Sequence, residues 1–157
     1  MFELIFYTII AYFTNASCTL AANHKTHPID FKVNLGRERL LGDGKTFEGL
    51  FAGFNAGILL SILLMPWIDP FIGVLVSIGA LIGDLVGSFI KRRLRVKSGA
   101  QLMPLDQLGF IIFAYLVLSF FVEVDYLLAS ALIIITFFAH LLSNRLAKRF
   151  GLKRVPW

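Results

Sequence analysis

Charge and cysteine are both scarce in this sequence, and long polar intervals are scarcer still. Only 16% of the 157 residues are charged against 57% hydrophobic, and the mean hydropathy is +0.78. That balance excludes an ordinary soluble domain. The one cysteine, Cys18, lies inside an apolar run. A single thiol excludes an intramolecular disulfide and reads as packing. No basic residue precedes the first apolar run, which begins "MFELIF". That run therefore lacks the head of a cleavable signal peptide and is expected to remain as a membrane helix. So little chain lies outside the apolar runs that separate soluble and membrane domains are excluded too. The expectation is one membrane-embedded domain over residues 1–157, with its chemistry built from helices and the loops between them.

What is present is a set of charge-poor intervals near the ~20 residues that a helix needs to cross a bilayer. Five emerge: about Phe2 to Asn23, Phe47 to Trp67, Pro70 to Ile90, a shorter one from about Gln107 to Val122, and Tyr126 to Ser143. The fold class expected is an all-α integral membrane protein with five transmembrane helices. Only "PWIDP" separates the second and third spans and only "EVD" the fourth and fifth, so each pair reads as a tight hairpin. The 15 Lys and Arg fall in three groups, Lys25 to Lys45, Lys91 to Lys97 and Arg145 to Arg154. Under the positive-inside rule, those two loops and the C-terminal segment are cytoplasmic and the N-terminus is outside. Glu3, Asp69, Glu123 and Asp125 mark the outer ends. The net charge of +5 is then a property of the cytoplasmic face.

Asp84, in "GALIGDLVGSFIKRR", lies roughly 10 Å inside the boundary that Lys91 marks, at 1.5 Å per residue. A carboxylate at that depth is costly and faces a partner or a water-filled cavity. Ser88 and Lys91 follow at i+4 and i+7 on the same face. The glycines Gly79, Gly83 and Gly87 of this span, and Gly49, Gly53 and Gly57 of the second, form small-residue stripes that should bring these two helices close. Such packing would carry Asn55 toward Asp84. Asn15, Thr19 and Asn23 repeat at helical spacing and are candidates for the same cavity. Between the first two spans, "LGDGKT" looks like part of a phosphate-binding loop. A Walker A loop requires GxxxxGK[ST] after a strand, and here Arg39 stands where the first glycine belongs. That reading fails. Gly42 and Gly44 still give a flexible turn, Lys45 with Arg37 or Arg39 gives positive charge, and Asp43 gives an oxygen ligand. Asp106, in "PLDQLGF", places a second carboxylate at the same membrane face. Two hard-oxygen donors beside many cations describe a Mg²⁺ site working on phosphates. The pattern points to phosphoryl or nucleotidyl transfer onto a lipid.

"GRERLLGDGKTFEG", followed by "GDLVGSFIKRRLRVKSGAQLMPLDQLGF", resembles the CDP-archaeol synthases, a family of CTP-dependent cytidylyltransferases similar to CDP-diacylglycerol synthases. The likeness spans nearly the whole chain. It implies that CMP passes from CTP to the phosphate of 2,3-di-O-geranylgeranylglycerol 1-phosphate, giving unsaturated CDP-archaeol and pyrophosphate. It further implies Mg²⁺ on Asp84 and Asp106 and catalytic roles for these two and Lys45. Lys45, Arg92 and Arg93 would neutralise phosphates, with Ser88 and Lys91 beside them. Gly42, Asp43, Gly44 and Thr46 would shape the first loop, and Asn34, Arg37 and Arg39 would meet nucleotide or head group. The expected partners are CTP, an isoprenoid glycerol ether phosphate lipid and the membrane; neither a nucleic acid nor a protein partner is expected. One departure stands out: the family pattern has a second acid three positions after the first, and here that position is Gly109. Asp84 would then be the second ligand.

Three other classes compete, of which a structural membrane subunit would leave the cost of Asp84 unexplained. A CDP-alcohol phosphotransferase would carry several Asp in one D-G-x-x-A-R…G-x-x-x-D-x-x-x-D string, which does not occur here. A small transporter with Asp84 as its cation site would need polar residues reaching the outer side. From Phe71 to Ile82 the third span has only Ser77. His140, in "FFAHLLSNR", reads as interfacial packing.

Overall fold

The computed structural model describes residues 2–22, 27–96 and 100–149. Within them lie five helices: α1 (Glu3–Ala21), α2 (Phe47–Leu63), α3 (Pro70–Arg93), α4 (Leu105–Leu118) and α5 (Tyr126–Arg149). Three are long and apolar enough to cross a membrane, namely α1, α3 and Tyr126–Leu146 of α5, while α2 and α4 are shorter apolar helices. Asn23, Lys25, Lys97, Lys153 and Arg154, which figure in the sequence reading, lie outside the described residues.

Local chemistry sets the helix ends. The Thr46 side chain accepts from Gly49 N at 3.1 Å and caps α2. Asp69 caps α3 by accepting from Phe71 N at 2.8 Å, with Pro70 in the first turn, where its missing N–H costs nothing. At its other end α3 runs past the apolar stretch through Lys91, Arg92 and Arg93. These side chains suit the negative end of a helix dipole.

The half of the bundle away from the basic segments is a dry core. Tyr7 and Ile10 of α1, Val76 of α3, and Ile111 and Leu118 of α4 are all at most 1% exposed. The glycine stripes do bring helices close, with flanking helices as well as with each other. A Cβ on Gly53 of α2 would lie 2.8 Å from Thr14 O of α1, and one on Gly79 of α3 2.8 Å from Phe113 O of α4. Gly83 meets the backbone of Gly109 in the same way. Each stripe thus seats its helix on a flanking helix, while Gly57 against Ser77 and Gly53 against Leu81 also serve the α2–α3 contact. Asn55 consequently points outward, away from Asp84; it is exposed and bonds Phe51 O at 2.7 Å.

The all-α expectation needs one addition. The segment before α2 carries a two-stranded antiparallel hairpin, β1 (Asn34–Leu35) and β2 (Glu38–Arg39), with Asn34 opposite Arg39 and Leu35 opposite Glu38. Its two-residue turn opens with Gly36 at φ +72°, the backbone that tight hairpins need. Strands this short leave no alternation for sequence reading to detect. The base of the segment closes on α2: Ile29 N donates to Lys45 O at 2.9 Å and Phe47 N to His27 O at 3.0 Å.

Candidate active site

Asp30 organises the hairpin segment. Its side chain is fully buried and accepts from Arg39 Nε and Nη2 and from the backbone N–H groups of Lys32, Leu41 and Gly42. Burial alone would raise its pKa. The Arg39 guanidinium and the three backbone donors outweigh burial and hold the carboxyl well below the usual carboxylate range. Arg39 is raised above its ordinary value in turn, chiefly by its hydrogen bond to Asp30. Gly42 has φ +95°, a backbone other residues rarely adopt, and a Cβ there would lie in van der Waals contact with the Arg92 guanidinium. Arg93 ties the hairpin to α3 by donating to Leu35 O at 2.5 Å and Arg39 O at 2.7 Å. These bonds suspend Gly42 to Lys45 over the charged end of α3.

Beneath that strap two ion pairs face one cavity of about 190 Å³. Lys45 Nζ lies 2.5 Å from Asp84 Oδ2, and Lys91 Nζ lies 2.7 Å from Asp106 Oδ2. Asp106 also accepts from Leu102 N at 2.9 Å, which fixes it at the start of α4. Both carboxylates are partly exposed, so their free lone pairs face the cavity. Ser88 and Arg92 complete its wall. Arg92 is only 8% exposed and its Nε is buried without a hydrogen-bond partner. Among the described residues, no ion pair includes it. A buried guanidinium without a counterion is costly, and an anion in the cavity would relieve it.

The Lys45–Asp84 and Lys91–Asp106 pairs also border a larger cavity of about 630 Å³ between α1, α4 and α5, whose walls include Tyr12, Asn15, Gln107 and His140. A third cavity, about 230 Å³, shares Lys45 and Asp84 and is walled by Cys18, Thr19 and Thr46. The Lys45–Asp84 pair is thus the junction of three spaces.

The structure brings together Gly42, Gly44, Lys45, Asp84, Ser88, Lys91, Arg92 and Asp106 around the first cavity. It does not bring the rest of the expected set there. Asn34 is exposed on β1, Arg37 is at the hairpin tip, and Arg39 and Asp43 pair with each other at 2.7 Å outside the cavity. Arg93 is a hairpin tether. Thr46 caps α2 and faces the third cavity. His140 packs its ring against Tyr12 and Phe110, as expected, and also faces the large cavity.

Sequence reading missed Asp30 and Gln107. Gln107 is 1% exposed, and its Oε1 is buried without a partner. Its only sequence signal was its place directly after Asp106. Among the described residues no three His, Cys, Asp or Glu are close enough to form a metal site. A two-carboxylate site nevertheless fits Mg²⁺, which commonly takes one or two protein carboxylates and completes its shell with water and substrate phosphates.

Known proteins resemble this chain along its whole length. The family model described as CarS-like CDP-archaeol synthase matches residues 1–157. The CDP-archaeol synthase of Pyrobaculum aerophilum is 38% identical over 98% of both chains. That of Sulfurisphaera tokodaii is 40% identical over 98% of this chain and 94% of its own. A solved structure of an intramembrane enzyme for archaeal membrane lipid biosynthesis superposes with a TM-score of 0.84 at 34% identity, covering 92% of this chain and 94% of that one. With the paired carboxylates and lysines already in view, these likenesses settle the affiliation: the chain belongs to the CDP-archaeol synthase family.

Proposed function

We propose that this chain transfers CMP from CTP to the phosphate of an unsaturated isoprenoid glycerol ether lipid, releasing pyrophosphate, and that it does so where the Lys45–Asp84 and Lys91–Asp106 pairs share a cavity. That shared cavity is the observation that carries the reading. A lipid phosphate oxygen attacks the α-phosphorus of CTP, a new P–O bond forms, and the bond from the α-phosphorus to the bridging oxygen of the β-phosphate breaks. The nucleophile is already an anion, so the protein's task is positioning and charge neutralisation.

The two lysines are held by the acids until phosphates arrive. Lys45 and Lys91 then turn their ammonium groups to phosphate oxygens, and Arg92 gains the anion it lacks. Asp84 and Asp106 would hold Mg²⁺, which when bound neutralises charge on the reacting phosphates. The 630 Å³ cavity suits the lipid end of the reaction, since Tyr12 and Ala139 border the same space as Lys45 and Asp84.

In the membrane, we read all five helices as crossings, with the hairpin segment and the basic end of α3 in the cytoplasm and the N-terminus outside. The distribution of Lys and Arg supports this. The dry core around Val76 and Ile111 supports a one-sided enzyme over a conduit.

The test is to incubate purified protein with CTP, Mg²⁺ and 2,3-di-O-geranylgeranylglycerol 1-phosphate and to follow CDP-lipid and pyrophosphate. Absence of both products, with this and other lipid phosphates, would sink the reading.

A further inference from the structure

On the far side of Arg92 lies a separate pocket of about 280 Å³, bordered by Leu35, Arg37, Glu38, Arg92, Arg93 and Arg95. Four of the six are arginines, drawn from the hairpin and from the end of α3. The pocket lies outside the wall formed by Asp84, Lys45 and Asp106, yet Arg92 belongs to both spaces. Among the described residues Arg92 is in no ion pair, and its Nε, like that of Arg93, is buried without a hydrogen-bond partner. Arg95 has φ +56°, a conformation that helix ends usually give to glycine, and it borders the pocket. Glu38 is the one acidic residue among those bordering it.

From this arrangement, which rests on reading the neighbouring cavity as the CTP site, we infer that the arginine pocket is a second anion site that receives the diphosphate leaving group. Arg92 contacts the β- and γ-phosphates from the reaction cavity. Once the α-phosphorus bond has broken, the freed pyrophosphate moves past Arg92 to Arg37 and Arg95 and leaves by the hairpin. Guanidinium forks match phosphate oxygens two at a time, which suits a small, highly charged product.

Inhibition of CDP-lipid formation by inorganic pyrophosphate, together with direct binding of radiolabelled pyrophosphate to the purified protein, tests this. Arg95→Gln should raise the pyrophosphate inhibition constant roughly tenfold more than it raises the KM for CTP, the size expected for one lost charge-assisted contact. Glu38→Gln removes the carboxylate and should shift the constant the other way. Equal shifts in both constants, or none, would overturn the exit site and leave the arginines as part of CTP binding or as a solvated face. An anionic lipid head group carries the same phosphate chemistry. If Arg95→Gln altered the response to anionic phospholipid in nanodiscs and left pyrophosphate binding unchanged, the proposal would also fail. Direct pyrophosphate binding to wild-type protein does not depend on turnover, so a failed CDP-lipid assay and a failed exit site are distinguishable.

Discussion

Asp30 and Asp84 are both carboxylates paired with one cation, yet the two regions they belong to use the pairing in opposite ways. In the hairpin, Asp30 is fully buried and accepts five hydrogen bonds, from Arg39 and three backbone N–H groups. In the helix-lined site, Asp84 makes one, to Lys45, and a quarter of its side chain is exposed. A saturated carboxylate fixes a fold, whereas an unsaturated one beside a cavity keeps lone pairs for an incoming group. The same contrast separates Arg93, spent on hairpin carbonyls, from Arg92, which is buried next to the cavity with its Nε unpartnered and in no ion pair among the described residues.

The contrast makes its strongest demand on Asp84. Asp84→Asn keeps the size of the side chain and an oxygen for Lys45 but removes the charge. Its rate of CDP-lipid formation should fall by about 10²–10³, the usual range for losing one preorganised electrostatic group. Its melting temperature should stay close to that of wild type, and thermal unfolding in detergent checks this. Near-normal turnover would place Asp84 with the structural acids.

Asp30→Asn should do the reverse. Breaking a buried pair costs about 3–5 kcal/mol, and here the loss falls on the hairpin. Proteolysis between residues 28 and 46 should accelerate, and KM for CTP should rise as Gly42 and Lys45 lose their suspension. Rate and stability thus trade places between the two aspartates, and that exchange is the sharpest form of the comparison.

A third change probes the contact beneath the site. Gly83→Ala would thrust a methyl group into the Gly109 carbonyl, so α3 and α4 must part. A destabilisation of about 1–3 kcal/mol, typical of overpacking, should accompany partial loss of activity as Asp84 and Asp106 separate. Gly109 is where α4 approaches the α3 backbone.

These particulars explain how far the sequence could be read. The helices were legible because each apolar run is bounded by charge or proline, and Asp84 because a carboxylate in such a run has no cheap explanation. Asp106 and Lys45 followed from sharing its side of the membrane. Asp30 was not legible. Nothing in "HPIDFKV" signals that its carboxylate folds back on Arg39, Leu41 and Gly42, since that closure depends on a hairpin with strands of two residues. The flanking partners of the glycine stripes were hidden for a related reason. A stripe announces close approach, but the helix that fills it is chosen by the packing of the whole bundle, so Asn55 was assigned to the wrong side.

Acid should separate the two regions without mutation. Because the folded pKa of Asp30 is depressed from its ordinary 3.8, its contribution to stability is complete above about pH 4 and is lost only as pH falls through the lower folded value. Hairpin protection, followed by hydrogen exchange of Leu41 and Gly42, should therefore persist at pH 4 and fail below it. Asp30→Asn should abolish that acid transition, since its amide does not titrate.

Asp43 provides the smallest effect and the control. It pairs with Arg39 at 2.7 Å, as Asp30 does, but its side chain is 73% exposed, and exposed pairs contribute little. Asp43→Asn should change stability by no more than about half a kcal/mol and leave KM for CTP within about twofold, a change of some 0.4 kcal/mol. If it instead matched Asp30→Asn in loosening the hairpin, the number of hydrogen bonds on a carboxylate would not be what distinguishes a scaffold acid from a free one. Arg39 itself would then be the anchor, and Arg39→Lys, which keeps the charge but loses the fork, should reproduce both phenotypes at once.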